Sequence, residues 1–102
     1  MSISIIKNEE LNRFEIYSDG ELAGFAEFKV ANQKISYTLI EIDPRFSGQG
    51  LGSQLIEEAL DEALEQDLEV APYRSFVSAY IKKDSDKYLA LVPKSSRNLF
   101  DL

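Results

Sequence analysis

Apolar residues recur at every second position through the first 42 residues, then at helical spacing from about residue 51 onward. "SISII" alternates, and "NRFEIYSDG" sets Phe14 and Ile16 against Arg13, Glu15 and Tyr17 before Asp19-Gly20, a strong two-residue hairpin signal. "ELAGFAEFKV" places Leu22, Gly24, Ala26, Phe28 and Val30 on one side with Phe25 opposing them. "ANQK" makes the next turn, and "ISYTLIEID" is the most β-rich run in the chain. Pro44 ends the pairing because it has no N–H to donate. These runs predict an antiparallel meander of three or four strands with short connections.

Beyond it, Leu55, Ile56, Ala59, Leu60, Ala63 and Leu64 form one apolar helical stripe, with Glu57, Glu58, Asp61, Glu62 and Glu65 on the solvated face. "LEVAP" predicts a short strand returning to the sheet. "RSFVSAYIKK" predicts a second helix with Phe76, Val77, Tyr80 and Ile81 toward the core, and "DKYLALV" a short further helix before Pro93. The expected fold is α+β: a β-meander, then helix, strand and helix packed on the sheet, all one domain over residues 1–102. The tail, residues 93–102, is polar until Leu99-Phe100 and is expected either to dock or to stay mobile.

Composition narrows the chemistry. At 102 residues the chain can build a core without staples. It has no cysteine and no histidine. Disulfides, a thiolate metal site and a thiol nucleophile are excluded, together with the usual general base near neutral pH and the commonest metal ligand. Catalysis would fall to carboxylates, tyrosines, hydroxyls, backbone amides and a bound cofactor, and no metal site is expected. No apolar stretch reaches the roughly 20 residues of a membrane span, and the apolar run at the start is too short for a signal peptide. A cytoplasmic location without membrane contact is the expectation. The net charge of −7 argues against nucleic acid as a partner. From Glu41 to Glu69 there are nine acids and one base, whereas from Val70 onward there are six bases and three acids. That asymmetry leaves room for an anionic ligand beside an acidic body.

Three of the five glycines, Gly48, Gly50 and Gly52, alternate where the long helix begins. The first N–H groups of a helix have no partner within it, and the helix dipole adds partial positive charge there. Glycines on the approach keep side chains out of the way of a phosphate. The plainer reading is a strand-to-helix turn that needs conformational freedom and close packing. The nucleotide P-loop pattern fails, because no lysine lies between Gly48 and Ser53. The dinucleotide G-x-G-x-x-G pattern fails at Ser53, after strands that read as antiparallel.

A third pattern fits. "IEIDPRFSGQGLGSQLIEEAL" resembles motif A of the GNAT superfamily of acyl-coenzyme A-dependent N-acetyltransferases, with Ile42, Pro44, Gly48, Gln49, Gly50, Leu51, Gly52 and Leu55 at the pattern positions. In that superfamily a strand is followed by Arg/Gln-x-x-Gly-x-Gly/Ala and by the helix that binds the coenzyme A pyrophosphate. "VAPYRSFVSAYI" is similar to a second segment of the small single-domain branch, and the resemblance runs over about residues 3–92. It implies acetyl-coenzyme A as cofactor, held by Ile40, Ile42, Ser47, Gly48, Gln49, Gly50, Leu51, Gly52 and Ser53. Arg74, Lys82 and Lys83 would contact its phosphates or else be plain surface charge.

The chain departs from the family at three places. Ser47 stands where the motif opens with Arg or Gln, Arg74 where the small branch has a cysteine, and Leu39 near its expected histidine. Acyl-cysteine chemistry is therefore excluded, while direct transfer to an amine is not. For direct transfer the resemblance implies amides around Ile40 to Ile42 polarising the thioester carbonyl. It implies Glu41 accepting the amine proton and Tyr80 protonating the leaving thiolate. Against these roles, Glu41 also reads as an outward-facing sheet residue and Tyr80 as a core aromatic with its hydroxyl at the rim. Two functions follow: an acetyl-coenzyme A-dependent N-acetyltransferase acting on an amine, with a lean toward a cationic acceptor, or a non-catalytic acyl-coenzyme A-binding or protein-interaction module.

Overall fold

The computed structural model describes residues 2–102. Five strands form one sheet in sequence order: β1 (Ile3–Asn8), β2 (Arg13–Ser18), β3 (Glu21–Ala31), β4 (Lys34–Ile42) and β5 (Glu69–Val70). The first four are antiparallel and β5 runs parallel to β4. Two tight turns set the meander's register. Asp19-Gly20 and Asn32-Gln33 each have both residues at positive φ, the geometry whose twist suits a two-residue hairpin.

Two bulges decide which side chains face inward. Ile16 pairs with Gly24 and Tyr17 with Leu22, leaving Ala23 over; Glu27 pairs with Leu39 and Phe28 with Tyr37, leaving Thr38 over. An extra residue shifts the alternation by one. Ala23 is therefore fully buried in the place that simple alternation assigns to Leu22, which is 38% exposed. Val30, also expected inward, is exposed near the end of β3.

Helix α1 (Leu51–Glu65) packs across β2, β3 and β4. Leu51, Leu55, Ile56, Ala59, Leu60 and Ala63 are buried, but Leu64, expected in that stripe, lies at its edge and is 37% exposed. The Tyr37 hydroxyl donates to the Ala59 carbonyl at 2.8 Å and ties β4 to α1 inside the core. Helix α2 (Ser75–Lys83) buries Val77 and Ile81. Phe76 and Tyr80, also expected in the core, are only half-buried. A short helix α3 (Ser85–Tyr88) and two 3₁₀ turns follow. The tail docks: Phe100 and Leu102 pack against the core, with the Phe100 ring edge-on to Tyr73 at 5.6 Å. Among the described residues, no helix is long and apolar enough to cross a membrane.

Candidate functional site

β5 is only two residues long, so it pairs with β4 only at Lys34 and Ile35. The chain then turns away at Ala71-Pro72, after the Ala71 N–H has bonded the Ile35 carbonyl at 2.9 Å. From Ser36 onward β4 has no strand neighbour on that side. At its far end the Asp43 N–H bonds back to Ala23 of β3 at 2.8 Å. Backbone groups alternate along a strand. Those of Ile40 and Ile42 therefore face the open edge.

The loop after β4 is shaped by local bonds. Asp43 caps a 3₁₀ turn over Pro44–Phe46 by accepting from the Arg45 N–H at 2.9 Å. The Ser47 hydroxyl is used within that turn, donating to the Pro44 carbonyl at 3.0 Å. Gly48 and Gly50 sit at φ +80° and +74°, where a Cβ would meet no neighbour but the backbone itself would be strained. Gly50 is the N-cap of α1, with no side-chain cap and no acid in the first turn. The opening N–H groups of α1 are thus left without the usual capping oxygen.

Beside that helix start is a groove of about 410 Å³ lined by Ile40, Ile42, Gly52, Ser53, Ile56, Phe76, Ala79, Tyr80 and Lys83. Six of the residues picked from sequence meet here: Ile40, Ile42, Gly52, Ser53, Tyr80 and Lys83. Gly48, Gln49 and Gly50 form the exposed loop leading in. Leu51 sends its side chain into the core and has only its backbone to offer. Lys82 is held away by Asp101 at 2.9 Å. Arg74 is the N-cap residue of α2, and its Nε donates to the Thr38 carbonyl at 2.9 Å, on the open edge of β4 at the bulge.

Glu41 lies on the other face of β4. With Leu22, Ala23, Gly24, Phe25, Ile42, Asp43 and Pro44 it lines a second groove of about 530 Å³. Gly24 is required there, since a Cβ would come within 2.5 Å of the Glu41 carbonyl oxygen. Asp43 is committed to Arg45, whose guanidinium holds its carboxyl below the ordinary range; Arg45 also reaches Glu21 at 3.2 Å. β4 is the wall between an apolar groove ending at free amides and a groove edged by carboxylates.

The Tyr80 hydroxyl donates to Glu57 Oε2 at 2.8 Å. Burial, and then this bond, push the phenol up to about 12, so it keeps its proton at neutral pH. Glu57 is the site residue that the sequence hid. It is one of five similar acids on α1, and only the approach of Tyr80 from another helix distinguishes it. Among the described residues, no group of three or more acidic, histidine or cysteine side chains could hold a metal ion.

A model of the GCN5-related N-acetyl-transferase family matches residues 13–91. None of the curated proteins matches the chain significantly. Among solved structures, the solution structure of a GCN5-like protein from Staphylococcus aureus is 23% identical, with TM-score 0.65 over 88% of this chain and 87% of that one. The ribosomal-protein-S18-alanine N-acetyltransferase of Escherichia coli is 23% identical, with TM-score 0.62 over 74% of this chain. This chain covers 52% of that enzyme's length. The PaiA N-acetyltransferase of Thermoplasma acidophilum, solved in complex with coenzyme A, is 22% identical, with TM-score 0.55 over 61% of this chain and 40% of its own. At these identities the likeness is one of fold. The family match takes in three of the meander's strands, the glycine-led helix and the whole of α2, and on that ground the chain belongs to the GCN5-related N-acetyltransferase family.

Proposed function

We propose that the chain is an acetyl-coenzyme A-dependent N-acetyltransferase that passes the acyl group directly to an amine. The observation that carries this reading is the groove along the open edge of β4, which meets the uncapped, glycine-flanked start of α1. An extended polar chain can pair with the Ile40 and Ile42 backbone as a strand would, while phosphates take the N–H groups of Leu51, Gly52 and Ser53. Acetyl-coenzyme A, when bound, supplies the activated acyl group. The Ile40–Ile42 edge then offers N–H donors to the oxygen on which charge develops.

The acceptor is a cationic amine entering by the second groove. Glu41 is the carboxylate there that faces no cation among the described residues, and it takes the proton that the amine must lose. Tyr80 holds a proton at the rim of the first groove, available to the departing thiolate once its bond to Glu57 is exchanged. That same bond favours a second reading, an acyl-coenzyme A-binding module without turnover, because it commits the only phenol in the groove to a carboxylate.

Calorimetric titration with acetyl-coenzyme A, followed by thiol-release assays over a panel of primary amines, separates the readings. Saturable binding with amine-dependent thiol release supports the transferase. Glu41→Gln is expected to lower turnover while leaving binding intact. Binding without release for any amine leaves the module, and no binding at millimolar ligand sinks both.

A further inference from the structure

We propose that Arg74 is a positioning residue that stands in for the missing strand pairing and sets the width of the groove. β4 loses its parallel neighbour after Ile35, and three residues later it is weakened again by the bulge at Thr38. Unpaired edges and bulges are where a sheet opens first. The Thr38 hydroxyl gives little help, since it lies 3.5 Å from the Glu27 carbonyl. The Arg74 Nε bond to the Thr38 carbonyl spans 36 residues of chain and crosses this gap.

The other end of the strut is anchored. The Arg74 carbonyl accepts from the N–H groups of Val77 and Ser78 at 3.0 and 3.3 Å, as the first carbonyl of α2, and Val77 is fully buried. α2 supplies one wall of the groove through Phe76, Ala79, Tyr80 and Lys83, and β4 supplies the other through Ile40 and Ile42. A bond from the start of α2 to the bulge of β4 therefore fixes the separation of the two walls. It also occupies the open-edge acceptor at Thr38, so an incoming extended chain can pair only beyond it, along Ile40 and Ile42.

The donor is the fourth side-chain atom of arginine, and that detail makes the inference testable. Glutamine places an N–H donor at the same distance along the chain without the charge. Lysine keeps the charge but puts a methylene there, and methionine keeps the length with neither. A strut therefore predicts that Arg74→Gln resembles the wild type while Arg74→Lys and Arg74→Met fail together. A merely electrostatic role predicts the reverse order for Gln and Lys.

The first readout is amide hydrogen exchange in the unliganded protein at Leu39 and Glu41, whose N–H groups face β3 beside the bulge, with Ile16 as the core reference. Exchange at Leu39 and Glu41 is expected to quicken about tenfold in Arg74→Met and Arg74→Lys, with Ile16 unchanged and Arg74→Gln close to wild type. The second readout is the KM for acetyl-coenzyme A, expected to rise in the same two variants with kcat altered less. Wild-type exchange in all three variants overturns the proposal, as does protection that follows charge. The functional consequence rests on the transferase reading. If the wild type fails to bind acetyl-coenzyme A, that reading falls while the exchange data still decide the strut.

Discussion

Gly52→Ala separates what the fold needs from what the groove needs. Gly52 lies in the first turn of α1, and a Cβ built on it comes to 3.8 Å from the side chains of both Ile40 and Ile42, ordinary contact distance. No strain opposes the substitution, and alanine is the better helix former by about 0.5–1 kcal/mol. The variant should melt roughly 2–8 °C higher. The same methyl points between the residues that line the groove, where it takes space and covers approach to the helix amides. Inserting a methylene where a partner fits closely costs about 1–3 kcal/mol, so the Kd for acetyl-coenzyme A should rise about five- to 150-fold. Gly50→Val would not isolate binding in the same way. Its φ of +74° alone costs an L-residue about 1–2 kcal/mol, and a β-branched side chain more, so lost binding there also reports a damaged loop. Thermal melts and calorimetry on Gly52→Ala decide the matter. A stabilised variant that binds as tightly as the wild type would refute the assignment of the groove, and a destabilised one would refute the reading of the helix start.

Tyr80→Phe removes the hydroxyl bonded to Glu57 while keeping the ring beside Tyr88, so acetyl-coenzyme A affinity should hold and amine-dependent thiol release should fall about tenfold or more; unchanged release would remove Tyr80 from the proton path. Glu15 is 3% exposed on β2 and accepts from Arg13, Tyr17 and Asn8. Burial pushes its carboxyl up, but those hydrogen bonds outweigh it and hold the value below the ordinary 4.5. A depressed carboxyl contributes stability that is present above the unfolded value and lost as pH falls through the folded one. Glu15→Gln should therefore cost about 2 kcal/mol at pH 7 and flatten the loss of melting temperature below about pH 4.5; an acid limb as steep as the wild type's would show that other groups carry it.

The alternation of the first 42 residues was enough to foresee the meander, because the two-residue turns open with Asp19 and Asn32, residue types that tolerate positive φ. It could not foresee the bulges. "ISYTLIEI" keeps an acceptable apolar face in either phase, and only pairing with β3 shows that Thr38 is the extra residue. The three alternating glycines carried two readings, a phosphate approach and a turn needing conformational freedom, and the three positions do not all behave alike. Gly48 and Gly50 meet the need for backbone conformation, whereas a Cβ at Gly52 would touch Ile40 and Ile42 only at ordinary contact distance and the fold does not require glycine there. α2 misled in a different way. Phe76 and Tyr80 have the spacing of core residues, yet they face the groove, because β5 is too short to bring a sheet edge against them.

The basic excess after Val70 raised the prospect of side-chain cations for a phosphate, and the contacts argue otherwise. Lys82 is bonded to Asp101, Lys87 to Asp61, and Arg74 and Arg97 to backbone carbonyls. Of the late bases only Lys83 lines the groove. Exposed ion pairs add little to stability, about 0–1 kcal/mol each, so these contacts orient the cations without locking them. Under the proposed transferase function, anion recognition would fall to Lys83 and to the amides at the head of α1, since a loop opened by glycines and left without a cap can serve a phosphate.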